Sequence, residues 1–274
     1  MLDLTHAISA ALDAHRAAAL TTIVATKGRP PVQLAAKMVV TSDGERTGSL
    51  GDAGLDERVL EDMKRVMDTR KVQVKTYELA QGQTADVFFE LFMPPPQLVV
   101  VGAGHIAVPL AAMGKMLDYE VVVIDDRATF ANKTRFPTAD KIIVGDYEES
   151  ITGLDLTPST FVVLVTRGHR HDVLSLRKVI QKPLAYIGMI GSRRRVFAVL
   201  KLLKDEGVSL DDLAKVKAPI GIDIGAMTPA EISVCILAEI INVWNGGPAI
   251  GMSDEARPKF MRALQKGGPI PADI

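Results

Sequence analysis

The residues best suited to chemistry run as a series through the second half of the chain. Gly102-Ala103-Gly104-His105-Ile106-Ala107 follows a five-residue apolar run, Gln97–Val101, and precedes a segment, Ala107–Leu117, with helical character. A first glycine permits a tight turn, a second lets a pyrophosphate approach the backbone, and a small third residue lets the helix pack closely on its strand. The helix N-terminus then offers free N–H groups and a positive dipole end to a phosphate. Asp125 lies 23 residues past Gly102 at the end of the next apolar run, where a ribose 2′-hydroxyl would be bound. Asp126 adjoins it, and Arg127 is placed to meet a phosphate instead. A glycine turn that merely packs is the alternative, but strand, loop, helix and acid all stand in the order that nucleotide binding needs. The pattern predicts a nucleotide-type ligand with its phosphates at Gly102–His105.

Three further segments extend this site. Thr166-Arg167-Gly168-His169-Arg170-His171-Asp172 follows the apolar run Phe161–Val165. It offers arginines to anions, and histidines with an aspartate to proton transfer or to half of a metal site. Asp172 could equally cap the helix that follows. Gly191-Ser192 with Arg193-Arg194-Arg195 reads as a second strand end opening a helix, where at least one arginine meets an anion. Gly221, Asp223 and Gly225 lie in a loop before Thr228-Pro229-Ala230-Glu231, a capping box with proline at the first helical position. Asp146, just past the run Lys141–Val144, is a further candidate contact. No catalytic residue and no metal ligand is assigned. So many cations around two histidines read as an anion cradle. The competing enzyme reading is an NAD(P)-dependent oxidoreductase with His169 as acid, oriented by Asp172, and a third is a non-catalytic nucleotide sensor that docks on a partner enzyme.

The elements that must hold these residues fall into two groups. Apolar strands at 98–101, 120–124, 141–144, 161–165 and 184–190, with helices between several of them, predict a Rossmann-like α/β domain with a parallel sheet covered on both faces. Ahead of it, a helix over 4–18, a strand over 20–26, a hairpin of 37–42 and 47–50 turning at Asp43-Gly44, a helix over 55–66, and strands over 72–79 and 86–93 predict a small α+β domain. Pro94-Pro95-Pro96 divides the two, giving domains 1–93 and 97–274 with a stiff linker at 94–96.

Composition excludes some roles. The chain has 274 residues, 47% apolar and 24% charged, with a net charge of −1. No global basic field exists to hold nucleic acid. No run reaches the roughly 18 apolar residues of a membrane span, and the N-terminus lacks the cationic start of a signal peptide. Cys235 is the single cysteine, so no internal disulfide forms and a reducing, cytoplasmic setting is expected.

The segments VVVGAGHIA (99–107), VVVIDDR (121–127), VTRGHRHD (165–172), YIGMIGSRRR (186–195) and APIGIDIGAMTPAEISVCILAEII (218–241) together resemble the xanthine dehydrogenase accessory factor family, XdhC/CoxI. ATKGRPP (25–31) and AKMVVTSDGERTGSLG (36–51) resemble its first domain more loosely. That family often has one cysteine after the opening hairpin and another before the last strand of the first domain. Here those regions read Asp52-Ala53-Gly54-Leu55-Asp56 and Gly82-Gln83-Thr84-Ala85-Asp86. The resemblance implies a maturation factor for molybdenum hydroxylases such as xanthine dehydrogenase. It would bind molybdenum cofactor, as molybdopterin or its dinucleotide form, while a cysteine desulfurase sulfurates it, and would help insert it into the apo-enzyme. NAD(P) is the other ligand the loop admits, and a homodimer is left open.

Overall fold

A computed structural model describes residues 2–250. The chain divides into two units, Met1–Pro96 and a second beginning at Gln97. The tail expected to end the second domain, 251–274, lies outside the described residues.

The first unit runs α1 (Leu2–Asp13), β1 (Ala18–Lys27), β2 (Lys37–Thr41), β3 (Arg46–Ser49), α2 (Ala53–Thr69), β4 (Gln73–Glu78) and β5 (Thr84–Phe92). The strands form one antiparallel sheet in the order β3-β2-β1-β5-β4. The stripe Leu55, Val59, Met63 and Val66 of α2 is buried against Ile23, Met38, Val87 and Phe89 of the sheet. At about 1.5–3 kcal/mol for each large apolar side chain buried, this face holds the helix in place. Asp52 caps α2 by accepting from Leu55 N, and the next acid, Asp56, accepts from Leu50 N at 2.8 Å. The segment Asp52–Asp56, which follows the hairpin, is therefore a helix start. Helix α1 stops at Asp13 rather than at 18, because Ala18 and Ala19 are fully buried between β2 and β5. Alanine's helix preference is overridden there by sheet packing.

The second unit runs β6 (Gln97–Val101), α3 (Ala107–Met116), β7 (Glu120–Asp125), β8 (Lys141–Val144), α4 (Tyr147–Thr152), β9 (Thr160–Leu164), α5 (His169–Val179), β10 (Tyr186–Met189), α6 (Arg193–Asp205), α7 (Leu210–Ala214), β11 (Val216–Lys217) and α8 (Pro229–Asn245). All pairings in its sheet are parallel, in the order β11-β10-β9-β6-β7-β8. Counted from β6 as the first strand, this is the 3-2-1-4-5-6 order of the dinucleotide fold. Alternation on β6 sends Leu98 and Val100 into the core beneath α3 and α8, and Val99 and Val101 into the core beneath α4, α5 and α6. A parallel sheet buried on both faces needs such strands. Helix α8 begins at the expected capping box, with Thr228 and Glu231 bonded reciprocally, and ends at Gly246 in the left-handed conformation. The two-residue β11 left no pattern to read.

Candidate functional site

Because every strand of the second sheet points the same way, the candidate residues converge on one edge. Gly102, Gly104, His105 and Ile106 follow β6; Asp125 ends β7, with Asp126 and Arg127 after it; Asp146 follows β8. Thr166, Arg167 and Gly168 connect β9 to α5, which opens with His169 and carries His171 and Asp172 in its first turn; Gly191 and Ser192 lead from β10 into Arg193; Gly221, Asp223 and Gly225 lie between β11 and α8. Ligands of open α/β sheets bind beyond the carboxyl ends of the strands, where the strand order reverses. That point lies between β6 and β9, and the glycine loop stands on it.

Gly102 has φ +103°, and a Cβ there would stand 2.6 Å from the Val165 carbonyl oxygen. Gly104 differs: a Cβ there would meet nothing within 4 Å, so this side of the loop is open. Among the described residues, the N–H groups of Gly104, His105 and Ile106 have no protein acceptor, whereas that of Ala103 donates to Asp125 at 2.7 Å. Three free donors at the start of α3 suit an anion. The other end of the loop is held from α8, where Ser233 Oγ donates to the Ile106 carbonyl at 3.1 Å.

The carboxylate of Asp125 is engaged within the protein. Placed to receive a ribose hydroxyl, the residue is instead fully buried, and its carboxylate accepts from Ala103 N, Arg127 N, Arg127 Nε at 2.8 Å and Arg127 Nη2 at 2.9 Å. No lone pair remains aimed at solvent. Burial pushes its pKa up, but the Arg127 guanidinium and the two backbone donors outweigh burial and hold it at about 2. Asp125→Ala is therefore expected to destabilise the second domain by about 2–3 kcal/mol, the cost of stranding a buried N–H and a guanidinium, measured by urea unfolding. The folded pKa of Asp125 is depressed from 3.8, so its stabilisation is complete above about pH 4 and fades as pH falls through about 2. Unfolding profiles of wild type and Asp125→Ala are expected to converge over that window.

The anion cradle is also less positive than expected. Arg127 is paired with Asp125, Arg167 with Asp126 at 2.6 Å, and Arg195 with Asp172. Arg170, Arg193 and Arg194 have no acidic partner among the described residues. Asp172 is fully buried and held by Thr166 Oγ1 and Arg195, with burial pushing its pKa up against the pull of those two partners. It makes no hydrogen bond to His169, so the acid–orienter pair of the oxidoreductase reading is not formed. Among the described residues, no three His, Cys, Asp or Glu side chains gather as a metal would require. Asp146 and Ser192 act as helix caps, Asp146 for α4 through Glu148 N and Ser192 for α6 through Arg195 N.

Several supports of the site carried no readable signal in the sequence. Arg135 donates to the Ala103 carbonyl at 2.8 Å and the Phe130 carbonyl at 3.1 Å, so it ties the glycine loop to the segment after β7. The Phe130 ring lies under both Arg127 and Arg135, at 3.7 and 4.8 Å from ring centroid to guanidinium. Glu239 accepts from Gly221 N at 2.9 Å and from the Tyr186 hydroxyl, which anchors the loop after β11. That loop walls a cavity of about 360 Å³ with Pro219–Ile224, Ala226, Ile232, Cys235 and Arg193. Ile232, on its wall, neighbours the Ser233 that holds Ile106, so the cavity and the glycine loop share α8 as a support.

Fold and site define a class: a two-part α/β protein whose Rossmann domain presents a dinucleotide-type crevice. The chain belongs to the XdhC and CoxI family, since the XdhC Rossmann domain matches residues 98–240 and the XdhC and CoxI family's other segment matches 11–78. The "Uncharacterized protein YqeB" of Escherichia coli is 30% identical over 251 residues, 88% of this chain and 46% of that one. A Bacillus subtilis protein described as a probable xanthine dehydrogenase subunit is 31% identical over 159 residues, 58% of this chain and 46% of that one. The chain thus spans about half the length of these curated relatives. A crystal structure described as a xanthine dehydrogenase from Bacillus halodurans shares the fold, with TM-score 0.53 and 18% identity, over 91% of this chain and 98% of that one. No helix among the described residues is long and apolar enough to cross a membrane.

Proposed function

We propose that this chain is an accessory factor that binds molybdenum cofactor, or a related nucleotide, and delivers it to a molybdenum hydroxylase such as xanthine dehydrogenase. The observation that carries the reading is the open side of Gly104 with the three unused N–H groups beside it. Molybdopterin ends in a phosphate, and its dinucleotide form carries a pyrophosphate. Either fits the open side of a glycine loop that carries free N–H groups. Membership of the XdhC and CoxI family and the name of the Bacillus subtilis relative support the choice of partner.

In this reading Gly104, His105 and Ile106 hold the phosphate, and the cavity after β11 takes the heterocyclic end beside Arg193. Gly221 there has φ +99°, so its backbone can line the wall without a side chain in the way. When bound, the molybdenum cofactor supplies the redox centre of the enzyme that finally receives it. This chain's residues bind, orient and shield it. Cys235, the single cysteine, is buried in α8 on the wall of that cavity, and in this reading a partner desulfurase supplies the sulfur. The test is reconstitution of cofactor-free xanthine dehydrogenase. The chain loaded with molybdenum cofactor is expected to restore activity faster than an equal amount of free cofactor. An identical rate with and without the chain would exclude delivery, and a nicotinamide dinucleotide bound in preference to the pterin would favour NAD(P) as the ligand.

A further inference from the structure

Tyr147 is a buried side chain that the fold alone does not explain. It is the first residue of α4, two positions after Gly145, whose N–H donates to the Asp125 carbonyl at 3.2 Å. Its ring packs edge-on against His171, with centroids 5.0 Å apart, and belongs to the core with Val101 and Ile124. The residue is 2% exposed, yet its hydroxyl has no hydrogen-bond partner among the described residues. An unsatisfied buried hydroxyl is a standing cost, and phenylalanine would fill the same space without it. Arg16 Nε and Ser175 Oγ are also unpartnered, but Arg16 belongs to the first unit and Ser175 lies in the middle of α5. Tyr147 stands at the strand carboxyl ends, among the candidate site residues.

The surroundings say what the hydroxyl is for. Burial first, then the carboxylates of Asp125 and Asp126, push its pKa up, while Arg127 and Arg167 pull it down, so all four charges lie within electrostatic reach. The phenol therefore stays a neutral donor. This is the β7–β8 half of the crevice, where a dinucleotide fold seats the ribose of its first nucleotide. Asp125, the acid usually read as the ribose ligand, is spent on Ala103 and Arg127. The Asp126–Arg167 pair beside it is partly exposed, with side chains 30% and 45% accessible, and exposed pairs of this kind open easily.

We propose that the Tyr147 hydroxyl donates to a ribose hydroxyl of a bound nucleotide, with Asp126, freed from Arg167, as the acceptor beside it. The ligand on this side is then a ribonucleotide, which for the reading above means the dinucleotide form of the cofactor. The inference rests on the phosphate site at the glycine loop but fails separately from it. Calorimetric titration with ADP and with 2′,3′-dideoxy-ADP tests it on wild type, Tyr147→Phe and Ser175→Ala. The expected result is a five- to tenfold loss of ADP affinity in Tyr147→Phe, about one hydrogen bond. Dideoxy-ADP should bind both proteins alike, and the unliganded Tyr147→Phe should melt no lower than wild type. Ser175→Ala should bind ADP as wild type does. Equal ADP affinity in Tyr147→Phe and wild type overturns the proposal and leaves the phosphate site standing. Failure of wild type to bind ADP also overturns it, and retention of a pterin by the same protein would still support the accessory role.

Discussion

Gly102→Ala is expected to lower the stability of the second domain by about 2–5 kcal/mol, combining left-handed strain with overpacking. The glycine sits at φ +103°, and the new Cβ would stand 2.6 Å from Val165 O and 3.0 Å from Thr166 Cα. Neither can retreat, because Val165 N is bonded to Val101 O at 2.9 Å and extends the ladder between β6 and β9. The single tryptophan, Trp244, packs edge-on against Phe161 of β9 at 4.9 Å, so its fluorescence reports on this domain in urea. A midpoint equal to wild type would mean that the strand crossing tolerates a side chain and that the glycine is not required by the fold.

Gly104→Val should behave in the opposite way. The backbone there is not left-handed, and a Cβ meets nothing within 4 Å. The tryptophan-monitored unfolding free energy is therefore expected to stay within about 0.5 kcal/mol of wild type, as for surface substitutions generally. The valine methyls, however, are expected to take space that a phosphate on the free N–H groups of Gly104, His105 and Ile106 would need. Two or three hydrogen bonds to a charged phosphate at about 1.5–3 kcal/mol each are lost, so affinity for a phosphate-bearing ligand should fall about 100-fold or more. Calorimetry with ADP reads this directly. A folded variant of unchanged affinity would remove the phosphate from the loop.

The two glycines were legible as a motif, but not as two different jobs. The sequence shows strand, glycine loop and helix in order, and the parallel sheet, its position and the capping box of α8 all follow from patterns that local physics writes into the chain. What it hides are contacts between distant residues. Asp125 reads as a ribose acid because of its spacing, and only the fold shows Arg127 and Ala103 N closing around it. Asp172 reads as a partner for His169, but Arg195, 23 residues on, takes it. Arg135, Glu239 and Ser233 have ordinary neighbours in sequence and reach the site from the segment after β7 and from α8. Tyr147 looks like one more core aromatic until its unpartnered hydroxyl is seen. The shortening of α1 is of the same kind, since burial of Ala18 and Ala19 in the sheet decides it against their own helix preference.

In the proposed function, the crevice where β6 and β9 diverge holds the phosphate end of molybdenum cofactor. Equilibrium dialysis of wild type and Gly104→Val against cofactor released from a molybdenum enzyme tests it most directly, with pterin in each compartment quantified by mass spectrometry. Stoichiometric retention by wild type and near-complete loss by the equally folded variant is the result expected here. Equal retention by both, or none by wild type, would contradict the claim.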